Sequence, residues 1–201
     1  MSGDVFEAYV DKNVFRPLGM RRTYFDNTPW HLLPHRANHY FVRDGAPEPG
    51  GVDFNTGITV SNGGLNAPVG DLARYMAFLT GRPAADGPTR SDFDAVLARG
   101  SLEEMWEPFV PIGENPMGDA SMGLSYFLYD APAGRVVGHT GTQRAFYSFL
   151  YVDPATGAGV VAAFNTGAGD ESGPDTNQLR VRVSARVVNE LFPVLHTETS
   201  R

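Results

Sequence analysis

Residues 135–165 read RVVGHTGTQRAFYSFLYVDPATGAGVVAAFN, and this stretch decides the fold class of the chain. β-Branched and aromatic residues fill the segments 134–139, 145–152 and 158–165, with turn-forming residues between them. The sequence DPATG that precedes the last segment has the composition of a hairpin turn. With a further aromatic run at 123–129, this spacing predicts four strands that follow one another as an antiparallel meander.

The N-terminal part of the chain predicts one helix followed by a long loop. Asp4 and Glu7 have the spacing of a capping box and precede an apolar helical face, and Pro17 and Gly19 end this helix. The segment 21–60 is rich in Pro, Gly, Asn and Asp and has no sustained period. It is predicted to be a structured loop that includes a short strand or two, and loops of this length often line a site.

Three further helices are predicted between the loop and the meander. The first of them ends at Gly81, and its apolar face has the spacing i, i+3, i+4 and i+7. That face consists of Leu72, Tyr75, Met76 and Leu79. A short helix is predicted over 91–99, and another begins with the capping pattern of Ser101 and Glu104.

A last amphipathic helix is predicted from about Thr176 to Leu191, with an apolar residue at every fourth position from Leu179. Helices and loops thus come first, the strands second and one helix last. This order argues for an α+β fold. We expect one incomplete domain in two portions, helices and loops over 1–115 and strands with the closing helix over 116–201.

The composition excludes several classes of function. The chain has 201 residues, a net charge of -7 and no basic run, which argues against a nucleic-acid partner. It has no cysteine, so disulfides and thiolate chemistry are excluded. No apolar run approaches the roughly 18 residues that span a bilayer, and MSGDVFEAYV has no signal-like pattern. The sequence therefore indicates no localisation.

His139, Thr140 and Gly141 lie at a predicted strand end, where such a triplet can form one wall of a substrate cleft. Alone, the triplet also fits an ordinary strand followed by a turn glycine. Its context is more specific: VFRPLGMRRTYFD at 14–26 and GGLNAPVGDLARYMAFL at 63–79 precede it in order. With the strand pair at 138–165, these segments resemble the serine β-lactamase and penicillin-binding-protein family.

The resemblance implies a partial β-lactamase/transpeptidase-like fold that binds a small-molecule acyl substrate, with no cofactor and no metal. His139 would supply a donor or a positive charge, and Thr140 would bind the substrate carboxylate. Gly141 would let substrate lie along the strand edge, and the backbone N–H of Thr142 would be half of the oxyanion hole. Arg144 is a candidate for contact with an anionic substrate, and a solvated turn arginine is the alternative.

The chain departs from the family at the nucleophile. The family's chemistry starts at a serine in S-x-x-K, where the lysine shares one helix face with it. Lys12 is the only lysine here, and Tyr9 stands three residues before it. The second motif, Tyr-x-Asn or Ser-x-Asn, is absent as well. We therefore expect the C-terminal part of a longer hydrolase that is inactive alone.

Two alternatives remain open from the sequence: a non-catalytic binding module, or one half of a split enzyme whose other chain carries the serine. If the first strands of the family's sheet are missing, the meander keeps an uncovered edge or face. Such a surface favours a homodimer or a partner chain that covers it.

Two other residue groups are weaker candidates. His31, His35 and His39 have the spacing of a helical metal site, but Pro34 interrupts the helix and no carboxylate is interleaved. No metal site is expected there. Ser148 follows an aromatic residue but lacks a lysine or a G-x-S-x-G elbow, so inward packing on a strand is expected instead.

Overall fold

The computed structural model describes residues 2–51 and 55–199. The strands are β1 Tyr24–Phe25, β2 Tyr40–Arg43, β3 Ala46–Pro49, β4 Leu65–Asn66, β5 Val110–Asn115, β6 Gly118–Met122, β7 Phe127–Ala131, β8 Gly134–Gln143, β9 Phe146–Asp153, β10 Ala158–Phe164 and β11 Thr166–Ala168. The main sheet has six antiparallel strands in the order β10-β9-β8-β7-β6-β5. The predicted antiparallel meander is therefore confirmed, with β8 near its centre.

The helices lie before and after this sheet in the chain. They are α1 Phe6–Val10, α2 Val60–Gly63, α3 Val69–Thr80, α4 Arg90–Val96, α5 Arg99–Glu104, α6 Thr176–Arg186 and α7 Phe192–Thr199. π-Helical turns extend α1 over Asp11–Phe15 and join α6 to α7 over Val187–Leu191. This mixture of segregated helices and antiparallel strands is the predicted α+β fold. No bilayer-spanning helix occurs among the described residues, because none of their helices combines the needed length with an apolar sequence.

Both faces of the main sheet are buried, each in its own apolar cluster. Val137 packs with the N-terminal helices, where Leu18, Leu79 and Trp106 belong to the same cluster. Its neighbour Val136 packs with the C-terminal helices, in the cluster of Phe149, Tyr151, Val188 and Phe192. Adjacent residues on a strand point to opposite faces, so one strand contributes to both clusters. We call these the N-terminal-helix face and the C-terminal-helix face.

The helix α3 forms where its apolar spacing predicted it. Phe78 and Leu79 are buried, and the helix ends at Gly81 with a left-handed φ of 67°. Glycine adopts this conformation without strain, which explains the position of the stop. The helix lies on the N-terminal-helix face, where a Cβ at Gly159 of β10 would stand 3.1 Å from the sulfur of Met76.

The predicted capping patterns fail in two places. Neither Asp4 nor Ser101 caps a helix, because α1 follows Val5 and α5 follows Ala98 without a side-chain cap. A complete capping box occurs instead at Thr89, before α4, where the side chain and backbone of Thr89 exchange hydrogen bonds with Asp92. The spacing of the two capping residues alone therefore does not locate the start of a helix. The chain must also form the turn that places the capping side chain at the first helical N–H groups.

The sequence did not predict β5 and β6, which form a hairpin at the edge of the main sheet. This hairpin spans the predicted boundary at 115/116, and the division into two portions stays a prediction. The face predicted for the last helix is also displaced, since Leu179 and Leu191 are exposed whereas Ser184 and Val188 are buried.

Candidate active site

The strand β8 extends beyond its neighbour β7. Pairing between the two ends at Phe127 and Gly138, whereas β9 pairs with β8 as far as Gln143. Within the described residues, 139–143 are therefore paired on one side only. The predicted substrate strand, His139 to Thr142, has an open edge at the place where the sequence expected substrate to lie.

The register decides which backbone groups reach this open edge. The turn between β8 and β9 has two residues, and Gln143 and Phe146 form the pair that closes it. Hydrogen-bonded and non-hydrogen-bonded pairs alternate in antiparallel strands, starting with a bonded pair at such a turn. Thr142 and Thr140 fall at non-bonded pairs, so their N–H and C=O groups point away from β9. The Thr142 N–H consequently faces the open edge.

His139 folds its imidazole back onto the same edge. Its Nδ1 lies 2.7 Å from the carbonyl oxygen of Thr140. A carbonyl oxygen can only accept, so Nδ1 carries the proton in this contact. In the neutral ring, Nε2 is then left as an acceptor. The ring also packs 4.9 Å from that of Phe127, between ring centres, and its side chain is exposed.

The alternation along β8 separates the predicted site residues. His139 and Gly141 share the N-terminal-helix face with Val137, whereas Thr140 and Thr142 share the C-terminal-helix face with Val136. The four residues are contiguous at the open edge. His139 and Thr140 leave the strand on opposite sides, and the His139 ring then turns back over the edge toward Phe127, which packs against the C-terminal-helix cluster. Their predicted roles toward one substrate remain predictions.

Gly141 has a packing reason to be glycine. It is paired with Ser148 of β9 on the same face, and a Cβ at position 141 would stand 2.6 Å from the Ser148 Oγ. A real Cβ essentially never comes this close, so the serine and the glycine fit together. Ser148 is half-buried on the strand, and its inward packing stays a prediction.

Arg180 is a site residue that the sequence analysis missed. From α6 its Nη1 donates to the Gly141 carbonyl and to the Thr142 Oγ1, both at 3.1 Å. Its Nη2 donates to Asn177 Oδ1 at 2.6 Å. The guanidinium thus ties the first turns of α6 to the open segment of β8. An Asn followed three residues later by Arg at the start of a closing helix was the available signal.

Arg144 has contacts that draw it away from the open edge. It occupies the turn after β8 with a left-handed φ of 54°. Its Nη2 donates to the Gly50 carbonyl at 3.0 Å, and its guanidinium carbon lies 6.0 Å from the ring centre of Phe41. Contact of Arg144 with an anionic substrate stays a prediction.

The two N-terminal segments that resembled the family are joined to each other by a buried carboxylate. Asp71, at the start of α3, accepts hydrogen bonds from the Arg22 N–H at 2.8 Å and the Thr23 hydroxyl at 2.9 Å. Asp71 is only 5% exposed. β1 and β4 add a second link, since Phe25 pairs with Leu65. The sequence separation of these segments gave no indication of this junction.

The second of these segments also reaches β8. A Cβ at Gly63 would stand 3.6 Å from the side-chain nitrogen of Gln143, at the end of the substrate strand. Gly64 is packed against Asp26, whose carboxylate accepts hydrogen bonds from the N–H and hydroxyl of Thr56. Gly63 thus lies near the end of β8, and its neighbour Gly64 packs against Asp26 of the long loop.

The three histidines of the loop lie in different environments. His31 and His35 are exposed, whereas His39 is buried between the rings of Phe41 and Phe146. Burial, together with the charges of Arg144 and Arg36, lowers the pKa of His39. Among the described residues, no group of three or more His, Asp or Glu side chains could hold a metal ion.

Three comparisons place the chain among known proteins. A family model described as Beta-lactamase matches residues 1–185. A search of curated proteins gave no match. Among solved structures, the chain is similar to the octameric penicillin-binding protein homologue from Pyrococcus abyssi, with a TM-score of 0.68 and 23% identity. That match covers 93% of this chain and 38% of the other.

Two further structures show the same fold. A class C β-lactamase matches with a TM-score of 0.65 and 18% identity, over 91% of this chain and 50% of that one. The β-lactamase/D-alanine carboxypeptidase from Pseudomonas syringae matches with a TM-score of 0.64 and 18% identity, over 92% and 52%. The chain thus spans about half the length of these two structures. It spans 38% of the length of the Pyrococcus abyssi protein. Because the family model covers most of its residues, the chain belongs to the β-lactamase family.

Proposed function

We propose that this chain supplies the substrate-binding strand and half the oxyanion hole of a serine acyl hydrolase of the β-lactamase, DD-peptidase or esterase type. The observation that carries the proposal is the open edge of residues 139–143, where the Thr142 N–H points outward beside the imidazole of His139. Membership of the β-lactamase family supports it, because the family contains enzymes of this chemistry.

The open edge of β8 presents an N–H donor that can stabilise the negative charge formed during acyl transfer. As a nucleophile adds to an acyl carbon, negative charge collects on the former carbonyl oxygen, and a fixed N–H stabilises it. Pairing with β9 fixes the Thr142 N–H in advance. Loss of one such donor typically lowers the rate by about 10²–10³.

The residues beside the Thr142 N–H have different proposed roles toward the substrate. His139 presents Nε2 as an acceptor when neutral and as a donor when protonated. The Thr140 hydroxyl binds a substrate carboxylate, and Gly141 leaves the strand edge free of a side chain. Arg180 is a positioning residue, because its bonds to Gly141 and Thr142 hold the open segment of β8 in place.

We propose further that the chain alone does not turn over substrate. No residue of the chain provides the family's pairing of a serine with a lysine three residues later, since Lys12 follows Tyr9 at that spacing. The purified chain should hydrolyse a chromogenic cephalosporin or p-nitrophenyl acetate no faster than buffer. A rate above buffer that disappears in Ser148→Ala would make Ser148 the nucleophile and refute the proposal.

The source of the nucleophile can be read in DNA. An S-x-x-K and a Tyr-x-Asn motif in frame just upstream of the Met1 codon would support one longer hydrolase. Both motifs in a separate neighbouring frame would support a split enzyme. Their absence from both places would contradict the acyl-hydrolase proposal and favour a binding module.

A split enzyme or a homodimer is favoured by the outer edge of β10. Among the described residues, β10 pairs only with β9, and its sequence AGVVAAF has neither charge nor proline to protect the edge. We propose that a strand of a second polypeptide pairs here. Light scattering after size exclusion should show dimers or larger species, which Ala163→Lys should reduce without unfolding. A monodisperse wild-type monomer would contradict this proposal.

A further inference from the structure

The strand β5 forms the outer edge of the main sheet at the end opposite to β10. Among the described residues it pairs only with β6, and five of its six residues are exposed. Asn115 and Gly118 close a two-residue turn, so the next pair, Glu114 with Asp119, is of the non-hydrogen-bonded kind. The N–H and C=O groups of Glu114 therefore point away from β6, toward the outside of the sheet.

Large apolar side chains are exposed along this edge. Phe109 is 60% exposed, Val110 57% and Ile112 53%, and we call these three residues the β5 ridge. The Phe109 N–H donates to the Met122 carbonyl at 2.9 Å, which fixes the start of the ridge against β6. The register shifts within β5 and leaves Ile112 without a partner on β6, and such a bulge redirects a side chain. Single exposed apolar residues are ordinary, whereas neighbours at one edge indicate a contact surface.

The β5 ridge lies within a stretch of sequence that has acidic residues and no basic ones. Between residues 100 and 134 the chain has six Asp or Glu residues and no Lys, Arg or His. Two of the six are paired with arginines just outside the stretch, Glu103 with Arg99 at 2.7 Å and Asp130 with Arg135 at 2.9 Å. The other four are exposed and form no ion pair within residues 2–51 and 55–199; they are Glu104, Glu107, Glu114 and Asp119.

These four carboxylates stand at both ends of the β5 ridge. Glu104 and Glu107 precede the ridge in the chain, and Glu114 follows it on β5. Glu114 is directly opposite Asp119 across the hairpin, and like charges in such a pair destabilise a sheet. A positively charged partner would relieve this repulsion and would also complement the carboxylates at the other end of the ridge.

We propose that the β5 ridge is a docking surface for an extended segment of another polypeptide, with apolar residues at its centre and Lys or Arg at both ends. The apolar residues of the segment lie against the ridge, and its basic ends meet the two sets of carboxylates. β5 spans about 20 Å, which an extended segment of about seven residues covers, whereas a helix of that length covers only about half. Pro111 has no N–H and the bulge interrupts the register, so side chains rather than a long backbone ladder select the partner.

Charge distinguishes this partner from a second copy of the chain. Each copy has a net charge of -7, and two copies joined at β5 would bring the same unpaired carboxylates together. The inference does not depend on acyl transfer, because it requires no nucleophile. β6 and β7 separate β5 from the substrate strand β8 in the sheet.

The binding test uses fluorescence polarisation of labelled peptides that are titrated with the purified chain. The probe is the peptide KKVFVKK, with EEVFVEE as its charge-reversed control and KKSGSKK as the control that lacks the apolar centre. We expect KKVFVKK to bind with a dissociation constant of about 0.1 mM or lower, and each control to bind at least about tenfold more weakly. Added sodium chloride should weaken the binding of KKVFVKK, because salt screens exposed charges.

Two substitutions at the edge and two elsewhere test the position of the surface. Ile112→Ser removes an apolar contact and Glu114→Lys reverses a charge, and each should weaken the binding of KKVFVKK at least about fivefold. Leu191→Ser changes an apolar residue that is 47% exposed between α6 and α7, and Glu171→Lys reverses an exposed charge after β11. Both of these controls should leave the binding unchanged.

Each outcome decides the proposal. Circular dichroism establishes that the chain and its variants are folded. No saturable binding of KKVFVKK by folded chain, or equal binding of KKVFVKK and either control peptide, overturns the inference. Equal losses in Glu114→Lys and Glu171→Lys overturn it too, because they would show a general effect of net charge. Dissociation of dimers by Ile112→Ser also overturns it, since a second copy would then occupy the ridge, whereas losses confined to Ile112→Ser and Glu114→Lys support it.

Discussion

The close fit between Gly141 and Ser148 gives the sharpest test of the substrate strand. Gly141→Ala places a Cβ 2.6 Å from the Ser148 Oγ, across the pair that joins β8 to β9. The next nearest atom, the Ser148 Cβ, would stand at 3.9 Å, which is ordinary contact. The steric conflict therefore involves a single oxygen atom. Removing that oxygen with Ser148→Ala should remove the conflict.

Two opposing effects set the change in the free energy of unfolding that we expect for Gly141→Ala. An extra methyl group in a packed region costs about 1–3 kcal/mol. Replacing glycine by alanine within a strand raises the free energy of unfolding by about 0.5–1 kcal/mol, because the backbone of alanine loses less conformational entropy on folding. Gly141→Ala should thus lower the free energy of unfolding by up to about 2.5 kcal/mol. Ser148→Ala alone should change it by less than about 0.5 kcal/mol.

The assay is urea unfolding of the two single variants and the double variant, monitored by the fluorescence of Trp106, which is 7% exposed. The double variant should be more stable than the wild type by about 0.5–1 kcal/mol, giving a coupling energy equal to the steric cost of about 1–3 kcal/mol. Gly138→Ala is the control: its Cβ would collide with the backbone carbonyl of Leu150, and Ser148→Ala cannot relieve it. A coupling below about 0.3 kcal/mol would refute the packing explanation of Gly141.

Two further predictions concern the junction of the N-terminal segments and the buried histidine. Asp71→Ala should lower the free energy of unfolding by about 3 kcal/mol, since it removes the charge-assisted hydrogen bonds that the buried carboxylate accepts from the Arg22 N–H, the Thr23 hydroxyl and the Arg74 guanidinium. Asp94→Ala, at an exposed position of α4, should change it by less than about 0.5 kcal/mol in the same urea titration; similar losses in both would contradict the role of Asp71. The lowered pKa of His39 means that the unfolded state takes up the proton first, so stability is present above pH 6.5 and falls as the pH drops below it. As the pH is lowered below 6.5, the urea midpoint should fall less in His39→Phe than in the wild-type chain, and as much as in the wild type in His35→Gln. A fall in His39→Phe equal to that of the wild type would exclude His39 as the source of the loss of stability in acid.

The strands of the meander could be predicted because their local sequence and their packing agree. From β7 to β10, apolar runs alternate with turn residues, and the two-residue turn after Gln143 keeps each pairing local. β5 gave no such signal, since five of its six residues are exposed and it contains Gly and Pro. An edge strand needs little burial, so its sequence need not alternate.

The missed parts of the site depend on contacts between distant residues. Arg180 reaches Gly141 across 39 positions, and Asp71 reaches Thr23 across 48. Such contacts follow from the packing of α6 and α3 on other elements, and no local period encodes them. The helical face of α6 was misjudged for the same reason, because Ser184 is buried where Leu179 is exposed.

The two faces of β8 divide the candidate site in a way that the triplet alone does not reveal. Consecutive residues of a strand leave it on alternate sides, yet the His139 ring turns toward Phe127, which packs against the C-terminal-helix cluster on the side of Thr140. What they share is the open edge, where the backbone of Thr140 and Thr142 points outward. A group on the C-terminal-helix face can affect this edge through Arg180, which holds the Gly141 carbonyl and the Thr142 hydroxyl.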